Sequence, residues 1–317
     1  MRDSFINRLT QMAATDSRVM LITGDLGFGV MDNFRQRFPT QFLNVGVAEQ
    51  NMIGVATGLA LEGYTVFTYS IANFAFMRCL EQIRNDAAYH ECNVNVVSIG
   101  GGFSYGALGV SHHATEDLAI MRSLPQVTVV APADCWEAAE ATAALATTPG
   151  VGYLRLDKTS APIMRTPEEQ FHLGKARCVR DGRDVTLAAT GGIVAEALAA
   201  ADMLSAAGID CRVLSIHTIS PLDEETLLRC AIETGRIVTI EEHAVTGGLG
   251  GAVAETLADA QAQCEFRRIG LPKRFSTIVG SQEYLRSQFG LDSFAIRDAV
   301  LELACGKPSC GVNRAAA

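Results

Sequence analysis

The chain has no run of about eighteen apolar residues free of glycine and charge, so no membrane-spanning helix is expected. It has no repeated CxxC spacing either. Its 9 cysteines are scattered, and the pair nearest in sequence, Cys305 and Cys310, sits in the C-terminal tail. That distribution argues against a zinc knuckle or a disulfide framework and for a reducing, cytoplasmic setting. Positive charge is in short supply: 26 Lys and Arg stand against 35 Asp and Glu, a net charge of -9. A general surface for nucleic acid or an anionic membrane is thereby excluded, while a local anion pocket is not. The first sixteen residues carry charges throughout and lack an apolar core segment, which argues against a secretory signal. Low-complexity tracts and internal repeats are absent.

What remains is a composition suited to a packed enzyme. Of 317 residues, 48% are hydrophobic and 19% charged, and 29 are glycine, which fits an α/β protein of two domains. Apolar spacing predicts a helix over 3–15, then a buried strand over 19–22 that ends at Thr23-Gly24-Asp25. The alternation continues with strands at 42–45, 64–69, 94–99, 127–131 and 152–156, and helices at 48–61, 74–88, 115–122 and 135–146. Short buried strands separated by helices imply parallel or mixed sheets covered on both faces. Periodicity fails around Pro162 and Pro167, so the reading is a first domain over 1–160, a linker over 161–178 and a second α/β domain over 179–317.

The segment Asn44-Val45-Gly46-Val47-Ala48-Glu49-Gln50-Asn51-Met52 leads from a strand into a helix and places one acid, Glu49, among small and apolar residues. Burial works against its charge and a helix N-terminus works for it. The residues alone leave that balance open, along with the plainer reading of an acid that satisfies helix-start amides. A Gly-rich run, 100–109, follows a strand and precedes His112 and His113, a usual setting for functional histidines. A second glycine cluster, 247–251, opens a helix but lacks dinucleotide-fingerprint spacing, and packing is the preferred reading there.

The Glu49 segment resembles the thiamine diphosphate site of transketolases. The resemblance continues in order through Gly58-Leu59-Ala60, Arg78 with Gln82-Ile83-Arg84, residues 106–112, Glu116-Asp117, Ala131-Pro132-Ala133-Asp134 and Tyr153-Leu154-Arg155. In the second half it includes Ala189-Thr190-Gly191, Glu241-Glu242-His243 and Gly247-Gly248-Leu249-Gly250. It implies a pyrimidine-binding domain followed by a transketolase C-terminal domain. Glu49 would then exchange a proton with the cofactor's aminopyrimidine ring, Phe74 would stack on that ring, Phe67 and Tyr69 would be further walls, and Arg78 would lie beside the cofactor. His112 is implied beside the sugar carbonyl, His113 next to it, and Arg155, Arg2 and Asp25 at the substrate.

The resemblance also has gaps. The GDG motif followed by Asn, which in transketolases holds the magnesium diphosphate, is missing, and Gly24-Asp25-Leu26-Gly27 does not reproduce it. No metal ligand is expected in this chain, and Mg²⁺ (or Ca²⁺) falls to an N-terminal partner subunit, in a heterotetramer of the α₂β₂ kind. Three polar positions of ordinary transketolases are Gly29, Gly100 and Leu108 here, which implies a sugar acceptor other than the usual pentose phosphate. Competing readings are the β chain of a 2-oxo acid dehydrogenase or acyloin-forming enzyme, and a non-catalytic scaffold.

Overall fold

The structure, a computed structural model, describes residues 1–27, 29–158, 161–163, 165 and 168–305. Parts of the expected linker and Cys310 lie outside the described residues, as does the side chain of Cys305.

The first half begins with α1 (Arg2–Ala13), β1 (Val19–Thr23), α2 (Asp32–Arg37), β2 (Phe42–Asn44), α3 (Glu49–Leu61) and β3 (Thr65–Ile71). Then come α4 (Ala72–Phe76), α5 (Leu80–Gln82), β4 (Val94–Ile99), α6 (Asp117–Arg122), β5 (Val127–Val130), α7 (Cys135–Thr147) and β6 (Val151–Leu156). The second half comprises β7 (Arg177–Arg180), β8 (Val185–Thr190), α8 (Val194–Ala206), β9 (Cys211–Ser215), β10 (Thr218–Ser220) and α9 (Glu224–Glu233). It ends with β11 (Arg236–Ala244), α10 (Leu249–Asp259), β12 (Glu265–Leu271), α11 (Gln282–Gln288) and α12 (Ser293–Cys305).

The strands form two sheets, a 7-stranded one in the order β10-β5-β6-β4-β3-β1-β2 and a 5-stranded one in the order β12-β11-β8-β9-β7. Among the described residues, every pairing of these strands is parallel except β10 on β5 and β7 on β9. Two mixed α/β sheets are therefore present, as expected. Because side chains alternate across a strand, each sheet feeds two cores. Val66 and Val96 face one and Phe67 and Val97 the other, as do Leu187 and Ala188 in the second sheet. Strands β4, β6 and β8 are buried along their whole length, the signature of a sheet covered on both faces.

Three departures from the sequence expectations matter. The helix expected over 74–88 is broken into α4, α5 and a π-helical turn over Ile83–Ala88. Strand β10, from the second half, completes the edge of the first sheet. The region around Pro162 is anchored in part: Ala161 is buried, and its amide donates to the Ala133 carbonyl at 2.8 Å.

Candidate active site

Glu49 opens α3 shortly after β2, with no side-chain cap before it, and lies beside the end of β1, where a Cβ on Gly24 would fall 3.6 Å from its Cγ. Its side chain is only 5% exposed, and its Oε1 accepts from Arg78 Nη1 at 3.1 Å. Helix α4 starts where β3 ends and presents Phe74. The turn after α4 brings the Arg78 guanidinium back over the Phe74 ring, 3.8 Å from its centroid. The helix break thus lets one flat cation touch both an aromatic face and a buried carboxylate. Beneath them, burial raises the Cys79 thiol to about 12, so it stays a neutral donor to the Ala75 carbonyl.

His112 meets Phe74 edge-on at 5.2 Å between centroids, and its Nδ1 lies 3.0 Å from Ser111 Oγ. Burial, then His113 and Arg78, hold its pKa below the ordinary histidine value, so the ring is neutral near pH 7. His113 is fully packed: its Nε2 meets the Gly106 carbonyl at 3.0 Å and its ring stands edge-on to Phe103. Asp25, with a left-handed φ of 58°, is clamped by Asn44, whose Oδ1 accepts from the Asp25 and Gly46 amides and whose Nδ2 donates to Asp25 Oδ1.

Other expected site residues are placed elsewhere. Phe67 and Tyr69 are core residues, 0% and 2% exposed and packed on Phe5 of α1, because their face of β3 looks onto that helix. Arg155 is likewise enclosed. Its Nη2 donates to the Ala114 and Glu242 carbonyls at 3.2 and 2.9 Å, and its Nε lies 3.2 Å from Asp117 Oδ2. With no face open to solvent, it joins the two halves of the molecule instead of meeting a substrate phosphate. Arg2 is exposed and ion-paired with its neighbour Asp3.

The glycine run is tailored to three neighbours. A Cβ on Gly100 would fall 2.2 Å from the Tyr105 ring, one on Gly101 2.1 Å from Arg155 Nε, and one on Gly102 2.5 Å from Glu242 Oε1. Glu242 reaches across from β11 to accept from the Phe103 amide, while Gln282 and Arg286 of α11 hold it in place. The loop that carries Tyr105 and His112 is therefore positioned by the second half of the chain. Composition and spacing gave no sign of Tyr105 or Glu242 in these roles. The other glycine cluster, at the start of α10, is already filled by Glu241, which accepts from the Leu249 and Gly250 amides at 2.7 and 2.8 Å. Burial raises that carboxyl to about 7.

Two clefts meet at Arg78. One, of ≈ 490 Å³, runs along the start of α3 past Glu49. The other, of ≈ 980 Å³, lies between the halves and is lined by Phe74, Met77, Val110, His113 and Phe275. Among the described residues, no three or more His, Cys, Asp or Glu side chains gather as a metal site, and no helix is long and apolar enough to cross a membrane.

Residues 1–163 match the family profile described as "Transketolase, pyrimidine binding domain", and residues 174–296 that described as "Transketolase, C-terminal domain". The 6-deoxy-6-sulfo-D-fructose transketolase subunit SqwH of Clostridium sp. (strain MSTE9) is 39% identical over 304 residues, 96% of this chain and 94% of that one. A subunit of the apulose-4-phosphate transketolase of Phocaeicola vulgatus is 36% identical, over 95% of this chain and 96% of its own. A solved structure titled "Split gene transketolase, inactive beta4 tetramer" superposes with a TM-score of 0.86 at 34% identity, covering 97% of this chain and 98% of that one.

Proposed function

The chain belongs to the transketolase family, carrying its pyrimidine-binding and C-terminal domains, and we propose that it is the proton-handling half of a two-chain enzyme. That enzyme moves a two-carbon ketol unit from a ketose donor to an aldehyde or ketone acceptor. Thiamine diphosphate is held between this chain and a second subunit, to which we assign the diphosphate and its Mg²⁺ (or Ca²⁺). The relatives' names support a second chain, since both are called transketolase subunits. So do the exposed apolar side chains beside the clefts, Val47, Met77, Val110 and Phe275, which a partner would cover in an α₂β₂ assembly.

The chain's own residues fit the aminopyrimidine. Arg78 supplies the test: a flat group bearing N–H donors lies on the Phe74 face and donates to Glu49 at once, and an aminopyrimidine presents the same two features. When bound, thiamine diphosphate supplies the nucleophilic carbon and the electron sink for cleaving the bond beside a ketone. Glu49, shielded from water and aligned with the start of α3, gives and takes the proton at the ring nitrogen. Phe74 orients the ring, and His112, neutral with Nδ1 engaged by Ser111, turns its other nitrogen to the sugar oxygens. Gly29, Gly100 and the exposed Leu108 replace polar readers of ordinary transketolases, which supports a specialised acceptor. The two relatives are named for sulfofructose and apulose phosphate.

The observation that carries this reading is the buried Glu49 at the head of α3, facing a flat cation stacked on Phe74. The test is co-purification with candidate N-terminal chains, followed by ketol-transfer assays with thiamine diphosphate and Mg²⁺. Glu49→Gln is expected to assemble normally and to lose transfer by a factor on the order of 10²–10⁴. Undiminished turnover in that variant, or sugar turnover by this chain without a partner, would overturn the proposal.

A further inference from the structure

The loop that carries His112 is closed at its base by a bridge between Gly102 and Ala114, each donating its amide to the other's carbonyl, at 2.8 and 3.0 Å. Above that stem it is held from two sides. From the first half, Asn73, the neighbour of Phe74, donates through Nδ2 to the Ser111 and His113 carbonyls at 3.1 and 3.0 Å. From the second half, the Gly280 amide donates to the Gly106 carbonyl at 3.3 Å, and Glu242 accepts from the Phe103 amide.

The grip of Glu242 extends to His112. The Phe103 ring stacks on Phe289 at 5.3 Å between centroids and stands edge-on to His113 at 5.0 Å. His113 is fixed in turn by its Nε2 contact with the Gly106 carbonyl, and it adjoins His112 in the chain. Contacts therefore run from the Glu242 carboxylate through Phe103 and His113 to the backbone of His112. The carboxylate is a firm anchor: Gln282 Nε2 lies 3.0 Å from both of its oxygens, and Arg286 Nε donates to Oε2 at 2.6 Å. Gly102 lets it come this close, since a Cβ there would fall 2.5 Å from Oε1. Displacing so buried an anion would strand the Arg286 charge and the Phe103 amide without a partner, which makes the contact stiff.

We propose that Glu242 is a positioning residue for His112: reaching from the second domain, it sets through the Phe103 amide where that histidine stands relative to Phe74 and the reacting sugar. The proposal rests on the transketolase reading and deepens it, because it gives the C-terminal domain a part in the transfer step. Glu242 touches no reacting atom. Its leverage comes from geometry, since a misplacement of about 1 Å at a reacting centre can cost a factor of about 10² in rate.

Two double variants separate the hydrogen bond from the ion pair. Glu242→Gln with Arg286→Met removes both charges but keeps an acceptor for the Phe103 amide, whereas Glu242→Leu with Arg286→Met removes the acceptor as well. In the chain alone, the His112 ring signal in heteronuclear NMR is expected to hold its wild-type position in the Gln form and to shift in the Leu form. Its titration should rise there towards the ordinary histidine value, as burial and the nearness of His113 and Arg78 are relieved. Phe103→Leu, which leaves the carboxylate and its ion pair intact, cuts the same path and should shift the signal likewise. In the assembled pair, the Leu form should lose kcat by a factor on the order of 10–10² with KM nearly unchanged, and the Gln form should restore it. Asp223→Ala, which uncaps α9 away from the loop, controls for lost stability and should move neither readout. An unmoved His112 signal in both the Leu form and Phe103→Leu, equal kcat in the two double variants, or the same response in Asp223→Ala overturns the proposal. If the signal moves as expected while the wild-type pair transfers no ketol unit, the positioning contact stands and the transketolase reading falls.

Discussion

At Gly100 a hydrogen in place of a methyl group decides what the site contains. The residue has a φ of 98°, and a Cβ there would overlap the Tyr105 ring. Gly100→Ala should cost on the order of 1–3 kcal/mol, part from the left-handed backbone and part from displacing the ring. Urea unfolding of Gly100→Ala, Tyr105→Ala and the double variant separates the two parts, because only the steric part vanishes when the ring is gone. Strictly additive losses would contradict the overlap. Sequence made the glycine run legible as a loop at a strand end, but not its three neighbours, which come from the loop itself, from β6 and from β11. The same limit explains Phe67 and Tyr69. Alternation placed both on one face of β3, yet nothing local says whether that face meets a helix or a ligand.

Among elements, α11 is short and does its work through two side chains. Ser281 caps it by accepting from the Tyr284 amide at 3.2 Å, and Gln282 and Arg286 then hold Glu242 against the glycine loop. Ser281→Ala should lower stability by about 1 kcal/mol in chemical denaturation. It should also loosen the loop, raising hydrogen exchange at the Phe103 amide; a stability loss with that exchange unchanged would separate the cap from the loop. The long, strongly patterned elements were readable from apolar spacing, among them α1, α3 and β4. The break between α4 and α5 was not, because apolar residues keep near-helical spacing across it while Arg78 turns out over Phe74. Strands β7 and β10 were missed because each is a short antiparallel edge whose pairing partner is remote in sequence.

Across the whole molecule, the two halves meet through buried charge. Asp157 lies there with Arg155, Glu242 and Arg286, and burial raises its pKa from 3.8 to about 6. Between those values the folded chain holds a proton that the unfolded chain has released. This contribution is therefore complete below about pH 4 and lost as pH rises through 6. Asp157→Asn, which mimics the protonated form, should gain on wild type over pH 4–7 by something on the order of 1–3 kcal/mol. Thermal unfolding of both proteins across that range is the check, and parallel pH profiles would refute the assignment. Comparing variants is essential, because His217, lowered by burial to about 3, pulls wild-type stability the opposite way between pH 3 and 6.5. A two-domain organisation was visible in the sequence; this shared ionic boundary was not, since it depends on residues from both halves facing each other. One last consequence concerns where the polypeptide can be cut. Strand β10 pairs Thr218 with Val130 and so shields the outer rim of β5, and a fragment ending near residue 163 would bare that row of amides and carbonyls. Such a fragment should self-associate on expression, so the sheet's last strand makes the N-terminal lobe a tenant of its neighbour's chain.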